Sequence, residues 1–207
     1  MVPILAFLFI FVIWIAYQRS KSDRITKKQS DAFWTREREA NLSRKKDLSS
    51  LNYITIPYEN LPFSDSEDEE IRYVQKQLYE LEDKKIVNLA GLSNTDLKLS
   101  YGAANITLLS TYDHNFTVLI RNLNKWGDLL MQKQNIADAK AVFEFAISSG
   151  SDISHTYLSL AGIYLDEQNN EKLFHLKNQA ETITSPLKDQ LLIKLSAICE
   201  KASRGLE

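Results

Sequence analysis

The first seventeen residues, Met1 to Tyr17, contain no charged, amide or aliphatic hydroxyl side chain, and an apolar run of that length finds no stable place in water. As a helix it would rise about 25 Å at 1.5 Å per residue, close to the ~30 Å hydrocarbon thickness of a bilayer. Trp14 and Tyr17 stand where an interfacial aromatic belt would lie. A cleavable signal peptide predicts a basic stretch before the run and small residues at a cleavage site after it. Nothing basic precedes this run, and the bulky Trp14-Ile15-Ala16-Tyr17-Gln18 closes it. The run therefore predicts a transmembrane anchor over residues 1–18.

Charge is divided unevenly over the remainder of the chain. Residues 18–50 carry ten Lys and Arg against five Asp and Glu, and the early basic residues Arg19, Lys21, Arg24, Lys27 and Lys28 sit just beyond the apolar run. By the positive-inside rule this places the N-terminus outside and the body in the cytoplasm, as a single-pass protein of the cell membrane. Residues 19–66 read as a basic linker. Its first part lacks Pro and Gly up to Leu51 and is rich in helix formers, so a helix leaving the bilayer is expected. Phe33 and Trp34 form an apolar spot on it, available to the body, a second copy or the membrane. Pro57 and Pro62 then forbid a regular helix between Leu51 and Phe63. That extended apolar segment is expected to cover a groove on the body, or to be displaced from it by a partner.

Residues 67–207 read as a helical body. Ile71, Val74, Leu78 and Leu81 recur at three and four residues, predicting a helix over 67–84 with a capping box from Ser66 and Glu69. A second helix is expected from near Thr95, with Leu97, Tyr101, Ala104 and Leu108 inward, ending at Tyr112-Asp113-His114. A third is expected from Asn115, with Phe116, Leu119, Leu123, Trp126 and Leu130 on one face. Six glycines and four prolines are too few for a sandwich, a barrel or a Gly-rich nucleotide site, and a lone cysteine, Cys199, excludes an intramolecular disulfide framework. The fold class expected is all-α.

An internal repeat is visible from Leu123 onward. Leu123, Trp126, Gly127, Leu130, Ala139, Phe143 and Ala146, shifted by thirty-four residues, become Tyr157, Leu160, Ala161, Tyr164, Leu173, Lys177 and Ala180. All but Lys177 are apolar or small. This spacing resembles the tetratricopeptide-repeat (TPR) family, in which small residues let the two helices of a pair approach and an aromatic fills the space between pairs. The resemblance implies a short right-handed solenoid of antiparallel helix pairs, with repeats at about 120–153 and 154–187 and a C-terminal capping helix over 186–203. Gln134 and Gln168 occupy positions where the family commonly has a turn glycine. A generic antiparallel helical bundle is the alternative.

No constellation of residues points to catalysis. His114, His155 and His175 lack partners at metal-ligand spacing, and no P-loop, dinucleotide turn or nucleophile elbow is present. No cofactor, nucleic acid or small-molecule substrate is expected, and the chain reads as a non-enzyme. The resemblance implies instead a partner groove lined by Arg121, Asn124, Asp128 and Met131 in the first repeat and by His155, Leu158, Gly162 and Leu165 in the second. The expected function is that of a membrane-tethered adaptor or assembly factor gripping an unidentified protein. A self-associating scaffold subunit of a membrane complex is the alternative.

Overall fold

The computed structural model describes residues 2–204 and the side chains of residues 9–203. Among the described residues the chain is all-α, with α1 (Val2–Asn41), α2 (Glu69–Tyr79), α3 (Asn94–Tyr101), α4 (Ile106–Gln132), α5 (Ile136–Ser148), α6 (Ser154–Asp166), α7 (Asn170–Ala180) and α8 (Lys188–Arg204). Their only extended pairing is an isolated bridge between Tyr53 and Val87. The chain divides into two compact units, one of Met1–Leu48 with Ser93–Ile106 and one of Ser49–Leu92 with Thr107–Glu207.

In the first unit, α1 packs on α3. Among the described residues no helix is long and apolar enough to cross a membrane. The anchor expected over residues 1–18 falls partly outside them, since the side chains of residues 1–8 are not described. From Phe9 to Tyr17 the large apolar side chains are exposed. The helix expected to continue to Leu51 stops at Asn41 because the next residues bond elsewhere. Ser43 Oγ donates to the carbonyls of Ala40 and Lys98 (both 2.6 Å), and Lys46 N donates to Tyr101 O (3.0 Å). Glu37 accepts from Thr95 and Lys98, and Arg36 pairs with Asp96. Ala40 is fully buried, whereas Phe33 and Trp34 stand outward, edge to face at 5.3 Å.

Gly102 explains the largest difference from the sequence reading. Its φ of +96° ends α3, and a Cβ there would overlap the Arg44 carbonyl oxygen and lie 2.7 Å from Lys45 Cα. A single 3₁₀ turn comes next (Ala103–Asn105), after which α4 runs unbroken through Tyr112, Asp113 and His114. The expected break there does not exist. Leu108, expected inward, is 43% exposed, and Leu109 is buried in its place.

In the second unit, α2 is shorter than the expected 67–84, and Asp68, not Ser66, caps it by accepting from the Glu70 and Ile71 amides. Residues 51–63 are built into the core. Ile56 and Leu61 are buried with Val74, Leu78 and Leu123, and the Phe63 ring packs, tilted, against Trp126 and Tyr79 with centroids 4.7 Å apart in each pair. The Tyr58 hydroxyl donates to the Leu78 carbonyl (2.9 Å). Ile54 N and Ile86 O pair at 2.9 Å beside the Tyr53–Val87 bridge, and the Lys85 ammonium lies 5.1 Å from the Tyr53 ring centre. Such a segment behaves as core. Leu61→Ala should cost about 2 to 5 kcal/mol and lower the melting temperature accordingly. A melting point within a degree of the parent would mean that the segment is a detachable strap.

Candidate functional site

Helices α4 to α8 are joined by short turns, and the local geometry recurs with the period seen in the sequence. Gln134 and Gln168, thirty-four residues apart, are the two non-glycine residues with positive φ among those described, at 61° and 55°. Each is followed by an asparagine at φ −89° with ψ of 71° or 73°. The Asn135 amide donates to Leu130 O (2.9 Å), as the Asn169 amide donates to Tyr164 O (2.8 Å). One turn has been built twice, and in both copies a glutamine takes the left-handed position that glycine would hold without strain. α8 also begins at Lys188, thirty-four residues after α6 begins at Ser154.

The expected packing residues form the interior of these pairs. Trp126, Leu123, Phe143, Ala139, Ala146, Ala161 and Ala180 are fully buried, and Leu130, Tyr157, Leu160 and Tyr164 nearly so. Gly127 is the tightest approach. A Cβ on it would overlap the Phe143 ring, standing 2.5 Å from Cζ and 2.7 Å from Cδ1. α6 packs on α5, α7 and α8, and polar side chains join it to α4. The first helices α4 and α6, with α8, thus lie side by side.

The expected groove residues lie along α4 and α6, and the two groups behave differently. Arg121 is exposed and Met131 half-buried. Asn124 and Asp128 are joined to α6 while staying partly exposed: Thr156 Oγ1 donates to Asn124 Oδ1 (2.8 Å), Asn124 Nδ2 donates to Asp128 Oδ2 (3.2 Å), and Asp128 Oδ1 pairs with His155 Nε2 (2.7 Å). Thr156 is fully buried. Ser159 Oγ lies 3.4 Å from the same His155 nitrogen. A nucleophile and an orienting carboxylate must use opposite ring nitrogens, so the Ser-His-Asp sequence of contacts is a helix clasp and not a catalytic triad. Among the described residues no group of three His, Cys, Asp or Glu side chains could hold a metal ion.

Leu158 and Leu165 are half-buried against the core, and nothing lies within 4 Å of a Cβ built at Gly162 between them. Within residues 51–63, Tyr58 and Phe63 pack on α2 and Trp126, and Tyr53 and Ile54 contact Ile86, Val87 and Tyr112. On α6, Leu158, Gly162 and Leu165 thus form a partly exposed apolar stretch with free space at Gly162.

Away from that stretch, sequence reading missed a second polar cluster. Glu144 Oε1 accepts from the Tyr164 hydroxyl (2.7 Å) and from Lys172 Nζ (2.9 Å), and Lys140 pairs with Glu167 at 2.7 Å. These charges come from three helices with no simple spacing, so no pattern in the chain announces them. Burial raises the Glu144 carboxyl, but the bonds from Tyr164 and Lys172 outweigh it and hold the group below its ordinary value of 4.5. Comparison of the chain with family models, curated proteins and solved structures gives no match in any of the three.

The two glycines and Glu144 give this geometry measurable consequences. Gly127→Ala should destabilise by about 1 to 3 kcal/mol through overpacking, whereas Gly162→Ala, in a helix with free space, should stabilise by about 0.5 to 1 kcal/mol. Equal effects in thermal unfolding would contradict the repeat packing. A carboxyl depressed in the folded state stabilises above its unfolded pKa and loses that contribution as pH falls through the folded one. Stability should therefore decline below about pH 4.5, and Glu144→Gln should flatten part of that decline. An identical acid profile in the variant would remove Glu144 from the account.

Proposed function

We propose that the chain is a membrane-tethered, cytoplasm-facing TPR-like interaction module that serves as an adaptor or assembly factor. The supporting observation is the repeated helix pair, whose first helices are clasped by Asn124, Asp128, His155 and Thr156 while Leu158, Gly162 and Leu165 leave an apolar trough beside them. Apolar surface next to fixed polar groups suits an amphipathic helix or an extended apolar peptide. The basic residues after the apolar N-terminal run support the tether and its orientation. A fold alone does not fix a function, so the reading stands on the trough.

A second reading, a self-associating scaffold, draws on Phe33 and Trp34, which are 55% and 58% exposed on α1. Purification in mild detergent separates the two: a discrete foreign protein supports the adaptor, and a pure homo-oligomer supports the scaffold. Gly162→Glu places a charge in the trough without touching the core. It should reduce recovery of the foreign protein at least tenfold while leaving melting unchanged or slightly raised. Undiminished recovery would mean that the partner binds elsewhere.

A further inference from the structure

A cavity of about 250 Å³ lies among the residues that succeed α5 and α7 and the loop at 88–90, with Asp152, Tyr157, Gln179 and Thr184 in its wall. Tyr157 is only 2% exposed, yet its hydroxyl has no hydrogen-bond partner among the described residues and is not one of the sealed, unpaired polar atoms of the interior. An unpartnered phenol in a buried side chain costs stability unless something bonds it. The small area that Tyr157 exposes therefore includes its oxygen, at the cavity wall. The ring serves the helix packing, for which Phe would suffice, so the hydroxyl calls for a separate explanation.

The wall has a definite chemical character. Its one charged side chain is the Asp152 carboxylate, and no Lys, Arg or His lines it. Among the described residues Asp152 has no ion-pair partner, and the side chains of Gln179 and Thr184 make no hydrogen bond. Asn88 is already engaged, donating to Gly150 O (3.1 Å) and accepting from Ala90 N (2.9 Å), and braces the wall. The C-terminal ends of α5 and α7 and the N-terminal turn of α6 all border the cavity, so their opposed partial charges largely offset and the Asp152 carboxylate sets the sign of the wall. Burial, and secondarily the charge of Asp152, push the Tyr157 phenol up to about 12, so it remains a neutral O–H.

Each candidate ligand makes different demands of such a wall. An anion would meet the Asp152 carboxylate with no cationic side chain in the wall to offset it. A divalent metal needs several oxygen ligands with more than one carboxylate, and only one is present. A quaternary ammonium needs several aromatic faces, whereas Tyr157 is the one aromatic in the wall. A primary ammonium has three donors, and Asp152, Tyr157, Gln179 and Thr184 are among the oxygen-bearing side chains that line the cavity, Asp152 and Thr184 at its exposed edge. At roughly 30 Å³ per water the volume suits an ammonium with a short alkyl chain. We propose that this cavity binds the primary ammonium group of a small alkylamine, with Asp152 as counter-ion and the Tyr157 hydroxyl as an orienting partner.

Titration calorimetry of the full chain at constant ionic strength tests this, with ethanolamine, putrescine, N-acetyllysinamide, ethylene glycol and acetate as probes. At least one amine should bind saturably, with affinity reduced tenfold or more in Asp152→Asn and several-fold in Tyr157→Phe, a variant that should melt at or above the parent's temperature. Ethanolamine or putrescine binding alone marks a free amine, and N-acetyllysinamide binding as well marks a lysine side chain entering from a partner; both uphold the ammonium site. Absence of saturable amine binding, equal binding of ethylene glycol or acetate, or undiminished affinity in Asp152→Asn would overturn it.

Discussion

The Phe143 ring lies across Gly127 with no room for a single added carbon. On that contact the rest of the helical body depends. The missing side chain lets the ring of α5 reach the α4 backbone, and Trp126, Ala139 and Ala146 of the same two helices are wholly buried. Ala161, fully buried, holds the equivalent place in α6. Two glutamines in the left-handed region then turn the chain identically after α4 and α6, which carries the spacing forward to α7 and α8. Each strained turn costs on the order of 1 kcal/mol, a cost that the packing it permits can offset many times over.

Polar groups settle the register that apolar packing leaves loose. Buried Thr156 donates to Asn124, and Asp128 pairs with His155, so α4 and α6 are fixed side by side by directional bonds. Those same bonds occupy polar atoms of Asn124 and Asp128, while the Asp128–His155 pair stays open to solvent. In the proposed reading, the surface left for a partner is the apolar stretch of Leu158, Gly162 and Leu165 on α6.

Much of α4 to α8 is legible in the chain because large and small apolar residues recur at helical spacing and again thirty-four residues later. The core roles of Trp126, Gly127 and Phe143 come directly from that pattern. Other features escape for identifiable reasons. Tyr112-Asp113-His114 looks like a break, yet Tyr112 packs near Tyr53 and the Asp113 carboxylate accepts from the Leu89 amide, both contacts distant in sequence. The real break, Gly102, is set by the approach of the Arg44 backbone, which no local signal reveals. Asn124 reads as a groove residue because its partner, Thr156, lies thirty-two positions away. Tyr157 reads simply as core, since a pattern cannot tell a ring packed in the interior from the hydroxyl at its edge.

The crossing of α4 and α5 is best tested by proton NMR of Gly127. With the Phe143 ring against it, the Gly127 α-protons should show strong ring-current shifts and cross-peaks to the ring protons, and Phe143→Leu should abolish both. Gly127 α-protons at ordinary helical shifts, with no cross-peak to Phe143, would contradict the close crossing and with it the repeated helix pairs built on it.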